Sequence, residues 1–330
     1  MPGIVYESMG LFFVREPAAS GCRTSKKVEP GRDPRTPLAG SKLRNVKTIL
    51  TAALTGVLAT RDQCPGIPYT AEEIAQEARR SIDAGAAIVH IHARKDDGRP
   101  AFDVESYRRI DDAVRRLCPE AIINYSTGAV GVDRETRIAH VRAVKPHMAA
   151  LNMGSMNYAI YSHGKKRFYH DHIFENKFED IRFYLEAMNE AGTIPEMECF
   201  DLGHINNVTP LRDLGLVPDN ACYSLVMGVL GGIPAGTGNL VHMAASLPTG
   251  ANWQVIGIGK VQWPLLAAGI TLGANIRVGL EDNFYLNPGE MARSNGDLVE
   301  KAARMVKDIG GRLATPAEAR DRLGLTCAKV

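Results

Sequence analysis

The sequence has little excess charge, few aromatic residues and no long apolar run. Its 39 basic residues nearly balance its 37 acidic ones, and aromatic residues make up 6% of the chain. A near-neutral chain lacks the basic stripe that nucleic-acid binding needs, so no nucleic-acid partner is expected. No apolar run approaches the roughly 18 residues needed to span a bilayer, so no membrane partner is expected either. The N-terminus lacks the features of a secretory signal, which predicts a cytoplasmic protein.

Cysteine pairs and dinucleotide motifs are also missing. The six cysteines are scattered and form no CxxC pair, which argues against a disulfide framework and a cysteine-rich zinc site. We interpret them as small buried residues or free thiols. No GxGxxG motif follows the first predicted strand, so the commonest sign of a dinucleotide-binding fold is absent.

What is present is enough apolar material for a core, since 45% of the residues are hydrophobic. Residues 1–45 differ from the rest: much of this stretch is rich in Gly, Pro, Ser, Thr, Lys and Arg and has little periodicity. Such a segment buries too little apolar area to order itself, so we predict a flexible extension. Residues 46–330 are predicted to form one catalytic domain.

Short apolar runs alternate with helical patterns from residue 46 onward. The predicted strands are residues 48–53, 87–92, 121–126, 148–152, 196–200, 221–227, 253–257 and 274–278. The predicted helices are residues 71–84, 104–117, 178–190 and 297–309, with a short last helix opened by Thr315-Pro316. This alternation predicts an α/β fold, a (β/α)₈ TIM barrel, with a doubly wound sheet as the alternative.

Two histidines, His90 and His92, stand two residues apart at the end of the second predicted strand. Side chains at this spacing share one face of a strand, and barrel active sites lie where the strands end. Neutral imidazole is a good ligand for zinc and similar metals, so the pair predicts a metal site. His170 and His172 repeat the spacing in a polar stretch, which we interpret as a surface loop.

A third ligand is expected near the eighth strand, where Arg277, Glu281 and Asp282 follow one another closely. Glu281 is the best candidate, because its loop opens at the same barrel mouth. A solvated salt-bridge cluster is the competing interpretation. Glu196, Glu198 and His204 are a second possible ligand set.

Polar groups end two further strands. Ser126, Thr127 and Gly128 follow the third, and Asn152 and Ser155 follow the fourth. Hydroxyls, amides and flexible backbone at a strand end suit a carboxylate or a polarised carbonyl. A glycine-dense stretch, residues 228–236, follows the sixth strand and is either a mobile loop or a close-approach surface for a ligand.

At these residues the chain resembles the β-keto acid cleavage enzymes. The matching pieces are ILTAALTG (49–56), HIHARKDDGRP (90–100), STG (126–128), LNMGS (151–155), GIGK (257–260) and RVGLEDN (277–283). The resemblance covers residues 46–325 and implies a zinc-dependent TIM barrel. It also implies a reaction in which a β-keto acid and acetyl-CoA give acetoacetate and a new acyl-CoA.

The resemblance implies roles for individual residues. His90, His92 and Glu281 would hold Zn²⁺, and Asp282 would be the base, positioned by Arg277. Ser126, with Thr127 and Gly128, would hold the substrate carboxylate. Members of the family associate, so a homo-oligomer is expected.

Two positions depart from the prototype, which cleaves 3-keto-5-aminohexanoate. Leu58 stands where the prototype has a glutamate that recognises the substrate amino group, and Ala150 replaces a hydroxyl residue. Leucine cannot accept a hydrogen bond from an ammonium, and burying that charge unpaired is costly. We therefore expect a neutral or apolar β-keto acid, with an acidic one as a further option.

Two other readings of the metal motif stay open at this point. Metal-dependent amidohydrolases also use His-x-His at a strand end, usually with further histidines and a lysine. A non-catalytic metal-binding barrel is the other, although an open coordination position argues against it.

Overall fold

The computed structural model describes residues 47–325. The predicted flexible extension, residues 1–45, lies outside the described residues. At the centre is a closed barrel of parallel strands. The TIM-barrel prediction is therefore confirmed, and the doubly wound sheet is wrong.

Eight strands form the barrel, labelled here in chain order. They are β1 (Leu50–Ala53), β2 (Ile88–Ile91), β3 (Ile122–Ser126), β4 (Met148–Asn152), β5 (Ile194–Cys199), β6 (Cys222–Met227), β7 (Asn252–Gly257) and β8 (Asn275–Val278). Each strand pairs with its chain neighbour, and β8 closes the barrel by pairing with β1.

A helix follows every barrel strand, and a further helix ends the described chain. They are α1 (Ala71–Asp83), α2 (Val104–Leu117), α3 (Arg134–Val144), α4 (Phe178–Ala191), α5 (Leu202–Asp213), α6 (Thr237–Ala245), α7 (Gln262–Leu272), α8 (Asn295–Asp308) and α9 (Pro316–Arg322). The capping box of Thr70 and Glu73 opens α1 as predicted. Thr315 caps α9 in the same way.

Four helices, α3, α5, α6 and α7, escaped the sequence analysis. Helix α7 is apolar almost throughout, because it packs against β7, β8 and neighbouring helices, so it shows no polar face. Helix α5 contains Pro210, a residue that argues against a helix in sequence. In both cases tertiary packing outweighs the local signal.

A β-hairpin interrupts the barrel between β4 and α4. Its antiparallel strands are Met156–Ser162 and Arg167–Phe174, and nearly all of the second strand is exposed. His170 and His172 lie on this strand, so the surface-loop interpretation is wrong about the secondary structure. With both faces in solvent, the strand shows no apolar alternation to find in sequence.

Two apolar layers stabilise the barrel. One lies between the barrel strands and the helices. The other fills the barrel at the amino-terminal ends of the strands and includes Ile49, Ile88, Ile122, Met148 and Ile194. The polar side chains of the barrel interior therefore lie toward the carboxyl ends of the strands. No helix in residues 47–325 is both long and apolar enough to cross a membrane.

Candidate active site

Three potential metal ligands meet at the carboxyl end of the barrel. His90, His92 and Glu281 each bring one ligand atom within 4.8 Å of the others. Glu281 Oε1 lies 3.3 Å from His92 Nε2 and 3.6 Å from His90 Nε2. The strand β2 places both imidazoles on its inner side, and the loop after β8 brings Glu281 to them.

The donor set fits a divalent metal. His90 is 1% exposed, and its Nε2 has no hydrogen-bond partner among the described residues. Burial holds the pKa of His90 well below its usual range, so the ring is neutral and offers a lone pair. Two imidazole nitrogens and one carboxylate suit zinc or iron. The cluster includes no further histidine within residues 47–325, so it lacks the additional histidine ligands expected of the amidohydrolase alternative.

Arg277, on β8, is 3% exposed and holds three carboxylates. Its Nε and Nη2 donate to the two oxygens of Asp282 at 3.0 and 2.9 Å. Nη2 also donates to Glu281 Oε1 at 2.5 Å, and Nη1 lies 3.5 Å from Glu198 Oε1. Since the cluster is buried, the solvated salt-bridge interpretation is wrong. One guanidinium against the carboxylates of Glu281 and Asp282 leaves negative charge that a divalent cation would balance.

The acidic groups differ in proton affinity. Burial acts to raise the pKa of Glu281, but Arg277 and the two histidines outweigh it and hold that pKa well below its usual range. Burial raises the pKa of Asp282 to about 6 despite the opposing effect of Arg277. Burial and the neighbouring Glu196 raise the pKa of Glu198 to about 8. At neutral pH, Glu281 is thus ionised as a ligand must be, and Asp282 is mostly ionised but more basic than an exposed carboxylate.

A polar layer supports the cluster from inside the barrel. Glu196 is fully buried and accepts hydrogen bonds from Asn124 Nδ2, from Ser224 Oγ at 2.6 Å and from Gln254 Nε2 at 2.5 Å. Its Oε2 lies 3.8 Å from His90 Nδ1. Sequence reasoning missed this layer. The available signal was polar residues at inward-facing positions of otherwise apolar strands.

The second ligand set proposed from sequence does not form. Glu196 and Glu198 share one face of β5 as expected, but neither joins the ligand cluster. His204 lies on α5, where its Nδ1 accepts the backbone N–H of Phe200 at 3.3 Å.

The turn after β3 lies beside the histidines. Ser126 Oγ accepts the N–H of Gly128 at 3.1 Å, and Thr127 Oγ1 donates to the carbonyl of Ala150 at 2.6 Å. The buried Arg137 donates through Nε to the carbonyl of Thr127 at 2.8 Å. This turn lines a cleft together with His92 and Phe102. The Thr127 hydroxyl therefore ties the turn to β4, while the Ser126 hydroxyl accepts within the turn and lines the cleft.

The two candidate residues at and beyond the end of β4 have different surroundings. Asn152 is 2% exposed, and its Oδ1 has no hydrogen-bond partner among the described residues. A Cβ placed on Gly128 would lie 3.3 Å from Asn152 Nδ2, so this amide adjoins the turn. Ser155 is exposed, and its hydroxyl accepts the backbone N–H of Asn176 at 2.8 Å. Ser155 therefore closes the base of the hairpin and is not brought together with the ligand cluster.

The structure shows the surroundings of Leu58 and of the glycine-dense loop, residues 228–236. Leu58 follows β1 and is 46% exposed, and its neighbour Val57 lines the cleft. In the glycine-dense loop, a Cβ on Gly231 would lie 1.8 Å from the carbonyl oxygen of Asn157. This glycine is needed because the loop touches the hairpin backbone, which requires no ligand.

Comparisons with known proteins agree with the geometry. The model of the β-keto acid cleavage enzyme family matches residues 47–325. The chain is 40% identical over 281 residues to the 3-keto-5-aminohexanoate cleavage enzyme of Acetoanaerobium sticklandii, covering 85% of this chain and 99% of that protein.

Two further matches extend the comparison. The 3,5-dioxohexanoate:acetyl-CoA acetone transferase of Paraburkholderia graminis is 35% identical over 300 residues, covering 84% of this chain and 96% of that protein. The solved ternary complex of ObcA with a C4-CoA adduct and oxalate is 25% identical, with a TM-score of 0.67 over 79% of this chain and 68% of that one.

Proposed function

The chain belongs to the β-keto acid cleavage enzyme family, and from that premise we propose that it transfers the acyl group of a β-keto acid to CoA. The substrates would be the β-keto acid and acetyl-CoA, and the products acetoacetate and a new acyl-CoA. The observation that carries this proposal is the buried Arg277–Asp282 pair directly beside the His90, His92 and Glu281 cluster.

The proposed cofactor is Zn²⁺, held by His90, His92 and Glu281. When bound, the ion supplies Lewis-acid polarisation of the keto and carboxylate oxygens of the substrate. The neutral imidazole of His90 and the ionised Glu281 are both in the protonation state that binding requires.

Asp282 is the proposed base, and it would remove a proton from the carbon between the two carbonyl groups of the β-keto acid. That carbon attacks the acetyl carbonyl of acetyl-CoA, and the CoA thiolate leaves. The thiolate then attacks the original keto carbon, the old C–C bond breaks, and acetoacetate takes up a proton. The two hydrogen bonds from Arg277 orient Asp282 for the first step.

Ser126 and Gly128 are proposed to bind the substrate carboxylate, with Asn152 beside them. A carboxylate accepts hydrogen bonds, and two donors are at hand: the Ser126 hydroxyl, whose Oγ accepts the Gly128 N–H and whose own O–H is left to donate, and the Nδ2 of buried Asn152, which adjoins the turn. Thr127 and Arg137 would hold the shape of the turn through Ala150 and the Thr127 carbonyl.

The substrate side chain would lie near Leu58 and Val57. Neither residue offers a counter-charge for an ammonium group, and none of the described residues that line the cleft is a carboxylate. We therefore propose a neutral or apolar β-keto acid and not the amino substrate named for the Acetoanaerobium relative.

The test is turnover of a panel of β-keto acids by the zinc-loaded protein, with acetoacetate measured in the presence and absence of acetyl-CoA. We expect acetoacetate only with acetyl-CoA, and none from the His90→Ala variant. The aminohexanoate substrate should rank below the neutral members. Failure of every member, in protein shown to contain metal, would refute the proposed reaction.

A further inference from the structure

Arg94, two residues beyond His92, is a buried cation held by carbonyl groups. It is 3% exposed, and within residues 47–325 its guanidinium hydrogen-bonds only to backbone oxygens. Nε donates to Gly56 at 2.8 Å, Nη2 to Thr55 at 3.0 Å and Nη1 to Gly98 at 2.9 Å. Its Cζ also lies 5.2 Å from the centre of the Tyr69 ring.

Such an arrangement is costly, so it calls for a reason. A buried guanidinium without a hydrogen-bonded carboxylate must recover its lost hydration from neutral acceptors alone. In return, its planar fork joins the loop after β2 to the loop after β1 at Thr55 and Gly56, and it also holds Gly98 of its own loop. The two joined loops are those that approach the ligand cluster.

The loop after β1 touches Glu281 directly. The backbone N–H of Gly56 donates to Glu281 Oε2 at 3.2 Å, while Glu281 Oε1 faces His92. Gly56 has a φ of +54°, and a Cβ there would lie 2.9 Å from Glu281 Cγ. Arg94 binds the carbonyl of Thr55, and the N–H of the same peptide binds Glu281 Oε2, so this peptide acts with Arg277 to set the rotation of the Glu281 carboxylate.

The same loop also holds the second histidine. Thr55 Oγ1 donates to the carbonyl of His92 at 2.8 Å and accepts the N–H of His92 at 2.8 Å. Arg94 binds the carbonyl of Thr55, so one side chain braces the backbone contacts of two of the three ligands.

We propose that Arg94 is a positioning residue for the metal centre, acting through Thr55 and Gly56 on His92 and Glu281. It does not touch the metal or the substrate. The inference rests on the metal site proposed above, and groups that orient metal ligands typically contribute 10–100-fold in affinity.

The experiment measures zinc affinity of the full chain by competition with a chromogenic chelator. Arg94→Met should weaken zinc binding about 10–100-fold. Arg94→Lys keeps the positive charge but has fewer donors in a different geometry. Its zinc affinity should therefore lie between that of the wild type and that of Arg94→Met. Arg137→Met is the matched control, because Arg137 is also buried and donates to a backbone carbonyl, but at the Ser126–Gly128 turn. Its zinc affinity should stay close to that of the wild type.

A spectroscopic readout accompanies the affinities. With Co²⁺ in place of Zn²⁺, the visible absorption bands should shift in the Arg94 variants and stay unchanged in Arg137→Met. Unchanged affinity and spectrum in Arg94→Met, or equal losses in both methionine variants, would overturn the proposal. If Arg94→Met does not fold, Arg94→Lys decides by the same criteria. A wild type that binds no zinc would refute the metal site itself, a result distinct from failure of the Arg94 variants alone.

Discussion

Arg277 holds Asp282 with two hydrogen bonds, from Nε and Nη2 to the two carboxylate oxygens at 3.0 and 2.9 Å. This paired geometry fixes both the position and the plane of the carboxylate. Asp282 adjoins the ligand Glu281 in sequence, so its position relative to a bound metal is defined by the same short loop. The pair is therefore suited to transfer a proton at a fixed point beside the proposed metal site.

Replacing the base should separate catalysis from metal binding. Asp282→Asn keeps the size and one acceptor of the side chain but removes its basicity. We expect turnover to fall about 10²–10⁴-fold, the usual contribution of a positioned base. Zinc content, measured in the same preparation, should remain near one per chain. Turnover close to wild type would exclude Asp282 as the base.

Restoring a carboxylate at residue 58 should change the substrate preference. Leu58→Glu places a negative charge beside the cleft, where it can pair with the ammonium of 3-keto-5-aminohexanoate. We expect kcat/KM for that substrate to rise and kcat/KM for neutral substrates to fall. Leu58→Gln has nearly the same shape without the charge and serves as the control. An equal gain in both variants would show that size, and not charge, sets the preference.

The buried Glu196 should contribute measurably to stability. In the native protein the two Glu196 oxygens accept hydrogen bonds from Asn124, Ser224 and Gln254. Glu196→Gln replaces one of these oxygens with an NH₂ group, which then faces another donor. At least one buried polar group then loses its partner, which costs about 1–3 kcal/mol. Urea unfolding followed by circular dichroism should show this loss. The control is Glu198→Gln, measured in the same way, because Glu198 makes a single long contact with Arg277. A Glu196→Gln variant as stable as the wild type would contradict the hydrogen-bonding pattern described here.

His140 should make stability depend on pH. Its ring stacks on Tyr107 with centroids 3.8 Å apart, and burial lowers its pKa from 6.5 to about 3. Because the folded state keeps this ring neutral, its contribution is complete above pH 6.5 and is lost as the pH falls toward 3. The loss is at most about 1.4 kcal/mol per pH unit.

The measurement compares the wild type with His140→Phe, which retains an aromatic ring beside Tyr107 but cannot titrate. The free energy of unfolding of the variant should fall less steeply between pH 6.5 and 5. Parallel pH profiles for the two proteins would mean that His140 does not contribute in this range.

Local sequence signals accounted for much of the fold. The strands carried mostly apolar runs, and helices such as α1 and α8 combined an apolar face with side-chain caps at Thr70 and Ser294. These signals act over a few residues and so can be seen in one dimension. Helix α7 and the second strand of the hairpin gave no such signal, because the helix has no polar face and nearly all of the strand is exposed.

The ligand cluster was also partly visible in sequence. The spacing of His90 and His92 places both rings on one face of a strand wherever that strand lies. Glu281 required the barrel, because it is nearly 190 residues away and reaches the histidines only when β8 closes onto β1. The polar residues around Glu196 stood out in otherwise apolar strands, but their hydrogen bonds could not be assigned from sequence, since the donors come from three different strands.

Sequence alone determined the residue types, the strand and helix periodicities and the resemblance that named the chemistry, because these depend on neighbours along the chain. Only the tertiary structure decided which charges are buried together. Arg277 meets its carboxylates and Arg94 meets Thr55 and Gly56 through contacts that barrel closure creates. Burial, and with it the shifted pKa values of Asp282 and Glu198, follows from that closure and not from any local pattern.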